Sequence, residues 1–220
     1  MSKLVDNSIK FQFPEFFPPN FIQLLDNFVP FQNYINNIDA NIIISEIIFQ
    51  SIDLFGPRIG FLKFKVIAQA NNKALPGIVF MRGGSVAVLI IVNKTHILLT
   101  RQARVPIGQF VLETPAGMLD GDNNFSGVAA KEIQEECGIT ILSEHLRSLG
   151  EVMMSPGGCD EVVKLFVTDI QLSQDKIEEI LSKIHGEGDH EQISCKLVTI
   201  DEAYSVNDAK LLCCLARYNK

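Results

Sequence analysis

The stretch Glu113-Thr114-Pro115-Ala116-Gly117-Met118-Leu119-Asp120-Gly121, and after it Lys131-Glu132-Ile133-Gln134-Glu135-Glu136-Cys137-Gly138-Ile139, decides how this chain folds. Its first part reads as a strand end passing into a glycine-containing loop. Beyond Gly121, Phe125, Val128, Ala129, Ile133 and Cys137 recur at intervals of three, one, four and four, the apolar face of a helix. Gly138 supplies its C-terminal stop. Glu132 and Glu136 then stand one turn apart with Glu135 beside them, on an exposed face opposite Ile133 and Cys137. Like charges at i and i+4 cost a helix roughly a few tenths of a kcal/mol, and more where the face borders a cleft of low dielectric. A hard divalent cation reverses that sign. Mg²⁺ takes oxygen ligands, keeps several waters and is typically held by a few carboxylates plus substrate phosphates. A glutamate-rich helix face on its own is most simply solvated surface; the strand and loop that deliver the chain into this helix set it apart.

Working outward, the segments Ile78 to Met81, Ser85 to Val92, His96 to Thr100 and Gln109 to Thr114 are closely spaced strands, with Asn93-Lys94 as a tight hairpin connection. The longest apolar run, Val86 to Val92, is too short to cross a bilayer and reads as a buried strand. Before these, Ile42 to Ile52 and Ile59 to Gln69 flank a Gly56-Pro57 turn signal and suggest a small β unit. Residues 1–40, with Pro14, Pro18, Pro19 and Pro30 interrupting any long helix, read as a partly extended lead-in with one short helix around Phe21 to Phe28. After the glutamate-rich helix come strands Leu146 to Met154 and Val162 to Ile170, and an amphipathic helix from Ser173 to Ile184. A polar loop, Gly186 to Glu191, leads into the strand Ile193 to Ile200, and the helix Val206 to Tyr218 ends the pattern. The division expected is a lead-in over 1–40, a small β unit over 41–75 and the main domain over 76–220. The fold class is α/β, a mixed sheet with helices packed on it.

A formal net charge of -7 argues against wide contacts with nucleic acid or anionic lipid, which depend on Lys and Arg neutralising phosphates. An acidic protein that handles phosphates needs a cation as intermediary. The five cysteines are scattered, form no CxxC pair and read as reduced thiols, and the cytoplasm is the expected compartment.

The spacing of Gly117, Asn123 and the run Lys131 to Ile139 resembles a Nudix box. Two positions depart from it: Asn123 stands where that family usually has Glu, and Lys131 where it has Arg. Lys131 keeps the charge but loses the planar fork by which Arg orients carboxylates. The resemblance extends to the ADP-sugar diphosphatases, of the plant type acting on ADP-glucose and ADP-ribose. It is carried by Phe55 to Lys65, Pro76 to Phe80, Arg101-Gln102-Ala103-Arg104-Val105-Pro106, Pro115 to Asp120 and Gly157-Gly158-Cys159-Asp160-Glu161. It implies the Nudix α/β/α sandwich preceded by a small N-terminal β unit that helps form a homodimer.

The resemblance also assigns roles. Glu132 and Glu136 would ligate Mg²⁺, with Mn²⁺ as a substitute, the main-chain carbonyl of Ala116 would add a ligand, and Glu135 would complete the cluster. Glu191 would come to the metal and the reacting water from its loop, with Asp189 and Glu187 as rival general bases, since proton abstraction needs only a carboxylate within hydrogen-bond reach. Arg101 and Arg104 would meet the substrate phosphates, for which guanidinium geometry is suited. Gly157 and Gly158 would belong to a loop that approaches the substrate. The expected activity is hydrolysis of an ADP-sugar to AMP and a sugar phosphate. A UDP-sugar substrate such as UDP-glucose is the second reading, and a catalytically weak nucleotide-sugar binder the third.

Overall fold

The computed structural model describes residues 9–119, 124–186 and 191–219. The chain divides into two compact units, one of Met1–Gly84 with Met153–Glu161 and one of Ser85–Val152 with Val162–Lys220. None of the helices in the described residues is long and apolar enough to cross a membrane.

The first unit holds β1 (Lys10–Gln12), α1 (Phe21–Asp26), α2 (Val29–Asn36), β2 (Ile43–Phe55), β3 (Arg58–Ala70), β4 (Lys73–Leu75) and β5 (Ile78–Met81). Its sheet runs β1-β2-β3-β4, with β5 also paired to β3. Alternation along the β2–β3 hairpin buries Ile47, Phe49, Leu62, Phe64 and Val66. Against them the two helices place Phe21, Leu25 and Phe31. The rings meet edge-on, Phe21 to Phe49 at 5.0 Å and Phe31 to Phe64 at 5.8 Å between centroids, the arrangement aromatic quadrupoles favour. The short helix expected around Phe21 to Phe28 is α1, and the addition is a second short helix, α2, with Pro30 in its first turn. There its fixed φ suits the helix and its missing N–H costs no intrahelical bond.

The second unit holds β6 (Ser85–Val92), β7 (His96–Arg104), β8 (Gln109–Glu113), β9 (Ala116–Met118), α3 (Phe125–Cys137), β10 (Arg147–Met153), β11 (Val162–Ile170), α4 (Gln174–Ser182), β12 (Ile184–His185), β13 (Ile193–Thr199), α5 (Ile200–Ala203) and α6 (Ala209–Tyr218). The sheet runs β10-β11-β6-β7-β13-β12, with β8 on β7 and β9 on β6. It is mixed, since β11 and β6 are parallel while β6, β7 and β13 pair antiparallel. Every residue of β6 is buried. Val86, Val88 and Ile90 pack with Ala129, Ile133 and Cys137 of α3 and Ile180 of α4. The alternate residues Ala87, Leu89 and Ile91 are buried on the other face, where α6 brings Leu211, Cys214 and Leu215. The result is the expected α/β/α sandwich.

The hairpin between β6 and β7 forms where Asn93 and Lys94 both take positive φ, 52° and 64°, and Thr95 donates its N–H to Val92 O at 3.2 Å. That is the primed turn whose twist matches paired strands. Three local expectations need adjustment. Ala116–Met118 is a strand paired antiparallel with β6, where a loop was expected. The helix after Ser173 stops at Ser182, and Ile184 joins β12. The last helix begins at Ala209, not Val206, because Asp208 caps it through the N–H groups of Lys210 and Leu211.

Candidate active site

The glutamate-rich helix α3 is fixed at both ends. Asn124 Oδ1 accepts the Gly127 N–H at 3.1 Å, and Gly138 takes the left-handed conformation at φ 65° while donating to Gln134 O at 3.0 Å. Between these caps the helix lies against β9. A Cβ at Gly117 would fall on the Glu132 carboxylate, so glycine there makes room for that side chain. Glu136 leaves only 5 % of its surface exposed. Its Oε2 accepts the Ala116 N–H at 3.0 Å and its Oε1 accepts from Gln102 Nε2 at 3.3 Å.

Burial is the main reason the Glu136 carboxyl is pushed up to about 8, and the charges of Glu132 and Glu113 push the same way; the Ala116 bond and Arg104 oppose them. The expectation of an exposed carboxylate face is therefore corrected for Glu136. The end of α3 turns this residue under the chain at Ala116 and Gln102, a contact that helical spacing alone does not encode. Glu132 and Glu135 are half-buried. Glu135 pairs with Lys131 at 2.9 Å one turn earlier, and its main-chain oxygen accepts the Gly186 N–H at 3.0 Å.

Arg101 and Arg104, three residues apart on one strand, point to opposite faces of the sheet. Arg104 lies on the face of Gln102 and Glu136, donating from Nε to Glu113 Oε1 at 2.7 Å. Partial burial works against its charge, but Glu113, Glu136 and Glu191 together hold its pKa above the ordinary value. Arg101 instead stacks on the exposed Phe110 ring, 4.4 Å from its centroid. Glu191 is exposed at the start of the segment leading into β13, close enough for its charge to act on Arg104. Asp189, Glu187, His190 and Asn123 lie outside the described residues.

Gly157 and Gly158 belong to the first unit, where Gly158 O accepts the Phe80 N–H at 2.8 Å. Beside them Asp160 Oδ1 accepts the Arg82 N–H at 2.8 Å, which fixes that loop.

Four polar residues of this site escaped the sequence analysis. Gln102 was legible only as part of the stretch Arg101 to Pro106, Glu113 only as a strand residue, and Asp208 and Lys210 only as the start of a terminal helix. Their side chains meet through contacts between distant parts of the chain, for which no local spacing exists.

Among the described residues no three His, Cys, Asp or Glu side chains stand as a ready-made metal cage. The donors nonetheless fit a hard divalent cation of the kind that fills its shell with water and phosphate oxygens. They are carboxylate oxygens, and the charged form of Glu136 is disfavoured first by burial and then by the charges of Glu132 and Glu113, which an added positive charge would offset.

A carboxylate-bearing helix entered through a glycine strand, on one face of an α/β/α sandwich, defines the Nudix class of hydrolase. Residues 81–212 match the NUDIX domain, and the chain belongs to that family. It is 37% identical to "Nudix hydrolase 14, chloroplastic" of Arabidopsis thaliana, over 86% of this chain and 69% of that protein. It is 28% identical to "ADP-ribose pyrophosphatase" of Bacillus subtilis, over 53% of this chain and 62% of that one. A crystal structure described as an ADP compounds hydrolase superposes with a TM-score of 0.63 at 15% identity, covering 82% of this chain and 93% of the other, and so shares the fold.

Proposed function

We propose that this Nudix hydrolase cleaves the pyrophosphate bond of an ADP-sugar, ADP-ribose or ADP-glucose, to AMP and a sugar phosphate, with a divalent cation, Mg²⁺ or Mn²⁺, at Glu132 and Glu136. The observation that carries the proposal is the buried Glu136 carboxylate, tied to Ala116 and Gln102 and facing Arg104 across a concentration of acidic charge. The relatives named for ADP-ribose and ADP compounds support the choice of substrate class.

When bound, the cation would neutralise phosphate oxygens and lower the pKa of the attacking water. Glu132 and Glu136 would hold it, with the Ala116 carbonyl and Glu135 completing its surroundings. Arg104 spends Nε on Glu113, so a substrate phosphate is met by its two Nη groups. Glu191 accepts the proton of the attacking water, with Asp189 as its rival; the phosphorus–oxygen bond to the leaving phosphate breaks as the new one forms. A homodimer through the first unit belongs to the same proposal, supported by the exposed Leu54, Phe55, Ile78 and Phe80 on its sheet.

The test is incubation of the purified protein with ADP-ribose, ADP-glucose and UDP-glucose, with and without Mg²⁺, and chromatography of the products. Metal-dependent release of AMP is expected. Preference for UDP-glucose would move the substrate assignment to uridine sugars, and binding without turnover would overturn the proposal in favour of a sensor.

A further inference from the structure

Two cations and two carboxylates meet where β8 ends and α6 begins. Glu113, its side chain 5 % exposed, divides its oxygens between partners: Oε1 accepts from Arg104 Nε at 2.7 Å and Oε2 from Lys210 Nζ at 3.0 Å. Lys210, 16 % exposed, also reaches Asp208 Oδ1 at 3.0 Å. Asp208 Oδ2 accepts the Thr114 N–H at 2.8 Å, two residues before the Ala116 that holds Glu136. The charges balance in number, and each buried carboxylate has a cation on at least one oxygen.

This division constrains Arg104. A guanidinium beside a carboxylate with two open oxygens prefers a bidentate pair, two parallel N–H donors on two acceptors. Here the second oxygen already carries the Lys210 ammonium at 3.0 Å, which competes with a second Arg104 donor for it. We propose that Lys210 is a positioning residue for substrate: by occupying Glu113 Oε2 it limits Arg104 to a single bond through Nε and leaves the Nη groups for a substrate phosphate. Remove the ammonium, and the guanidinium turns toward the vacated oxygen and away from the cleft. The inference rests on the role given to Arg104 under the proposed function. It adds a residue from the last helix that contributes through Glu113 without touching the substrate.

The experiment is a double-mutant cycle on the full chain with ADP-ribose and Mg²⁺, reading KM and kcat separately. Lys210→Met is expected to raise KM about tenfold, the loss of roughly one charge-assisted hydrogen bond, with kcat within about threefold of wild type. Lys210→Arg, which keeps a cation on Oε2, should return KM to within about threefold of wild type. In an Arg104→Met background, Lys210→Met should change KM by less than about twofold, because the group it positions is gone. Equal effects of Lys210→Met in both backgrounds, or an unchanged KM in the single variant, would overturn the proposal. Should Lys210→Met not fold, Lys210→Ala, which leaves room for water beside Glu113 and Asp208, takes its place in the cycle with the same two outcomes. Wild-type protein that hydrolyses neither ADP-ribose nor ADP-glucose would instead sink the functional assignment, and activity on ADP-glucose alone moves the same cycle to that substrate, so the two failures are distinguishable.

Discussion

The two units bury their interiors by different means. In the first, the sheet is closed by rings: Phe21, Phe31, Phe49 and Phe64 are almost completely inaccessible and pack on one another. In the second, an equally apolar interior under α3 and α6 gives way at one margin to buried charge, with Glu113, Glu136 and Asp208 each under 7 % exposed. Even those three differ. Glu113 and Asp208 are matched by Arg104 and Lys210, whereas Glu136 is satisfied by an N–H and an amide and is pushed toward neutrality. Apolar packing can be finished by the chain alone. The charged margin carries one carboxylate, Glu136, whose ionised form the Ala116 N–H and Arg104 favour less than burial and its acidic neighbours oppose it.

The sharpest way to break the comparison is in the ring cluster. Phe64→Ala should cost about 4 kcal/mol by leaving a cavity among inflexible neighbours, seen as a lower urea midpoint by circular dichroism; a loss below about 1 kcal/mol would mean the rings are not the main support. In the second unit, Glu136→Gln should lower kcat for ADP-ribose about 10²- to 10³-fold, roughly 3–4 kcal/mol of barrier, while the protein stays folded. Unchanged turnover would count against the whole site.

The same carboxyl gives a pH signature. Folded, Glu136 keeps its proton up to about 8, against 4.5 for the free side chain. Between those values the unfolded chain binds fewer protons, so stability contributed at low pH is lost as pH rises through the window. Metal-free wild type should lose about 4 kcal/mol relative to Glu136→Gln between pH 4.5 and 8, read as diverging melting temperatures. Added Mg²⁺ should narrow that gap with release of a proton, and parallel curves without metal would refute the assignment. The smallest effect is expected at the start of α3, where Asn124→Ala removes a cap worth about 1 kcal/mol. A larger loss in kcat than in stability would show that the cap also sets the register of the glutamates.

Much of this was legible beforehand, and the reason differs by residue. Periodicity marked α3 from Phe125 to Cys137 and its stop at Gly138, and the Asn93-Lys94 pair marked a primed turn, because both are written in residues a few positions apart. Pro30 misled because the same ring that breaks a helix interior suits its first turn. The burial of Glu136 and the pairing of Glu113 with Lys210, 97 residues away, left no trace in local pattern, since both arise only when β9 and α6 arrive. Three-residue spacing on β7 also concealed that Arg101 and Arg104 point apart, which only the strand assignment reveals.

One small feature bears on how relatives diverge. The segment 187–190 leaves Gly186, whose N–H is bonded to Glu135 O on α3, and returns at Glu191, which lies directly against Gly186. With both gateposts already side by side, lengthening what runs between them adds only a logarithmic closure penalty. Insertions between these two residues would add chain at little cost in closure while Gly186 stays tied to α3 and the glutamates of that helix keep their places.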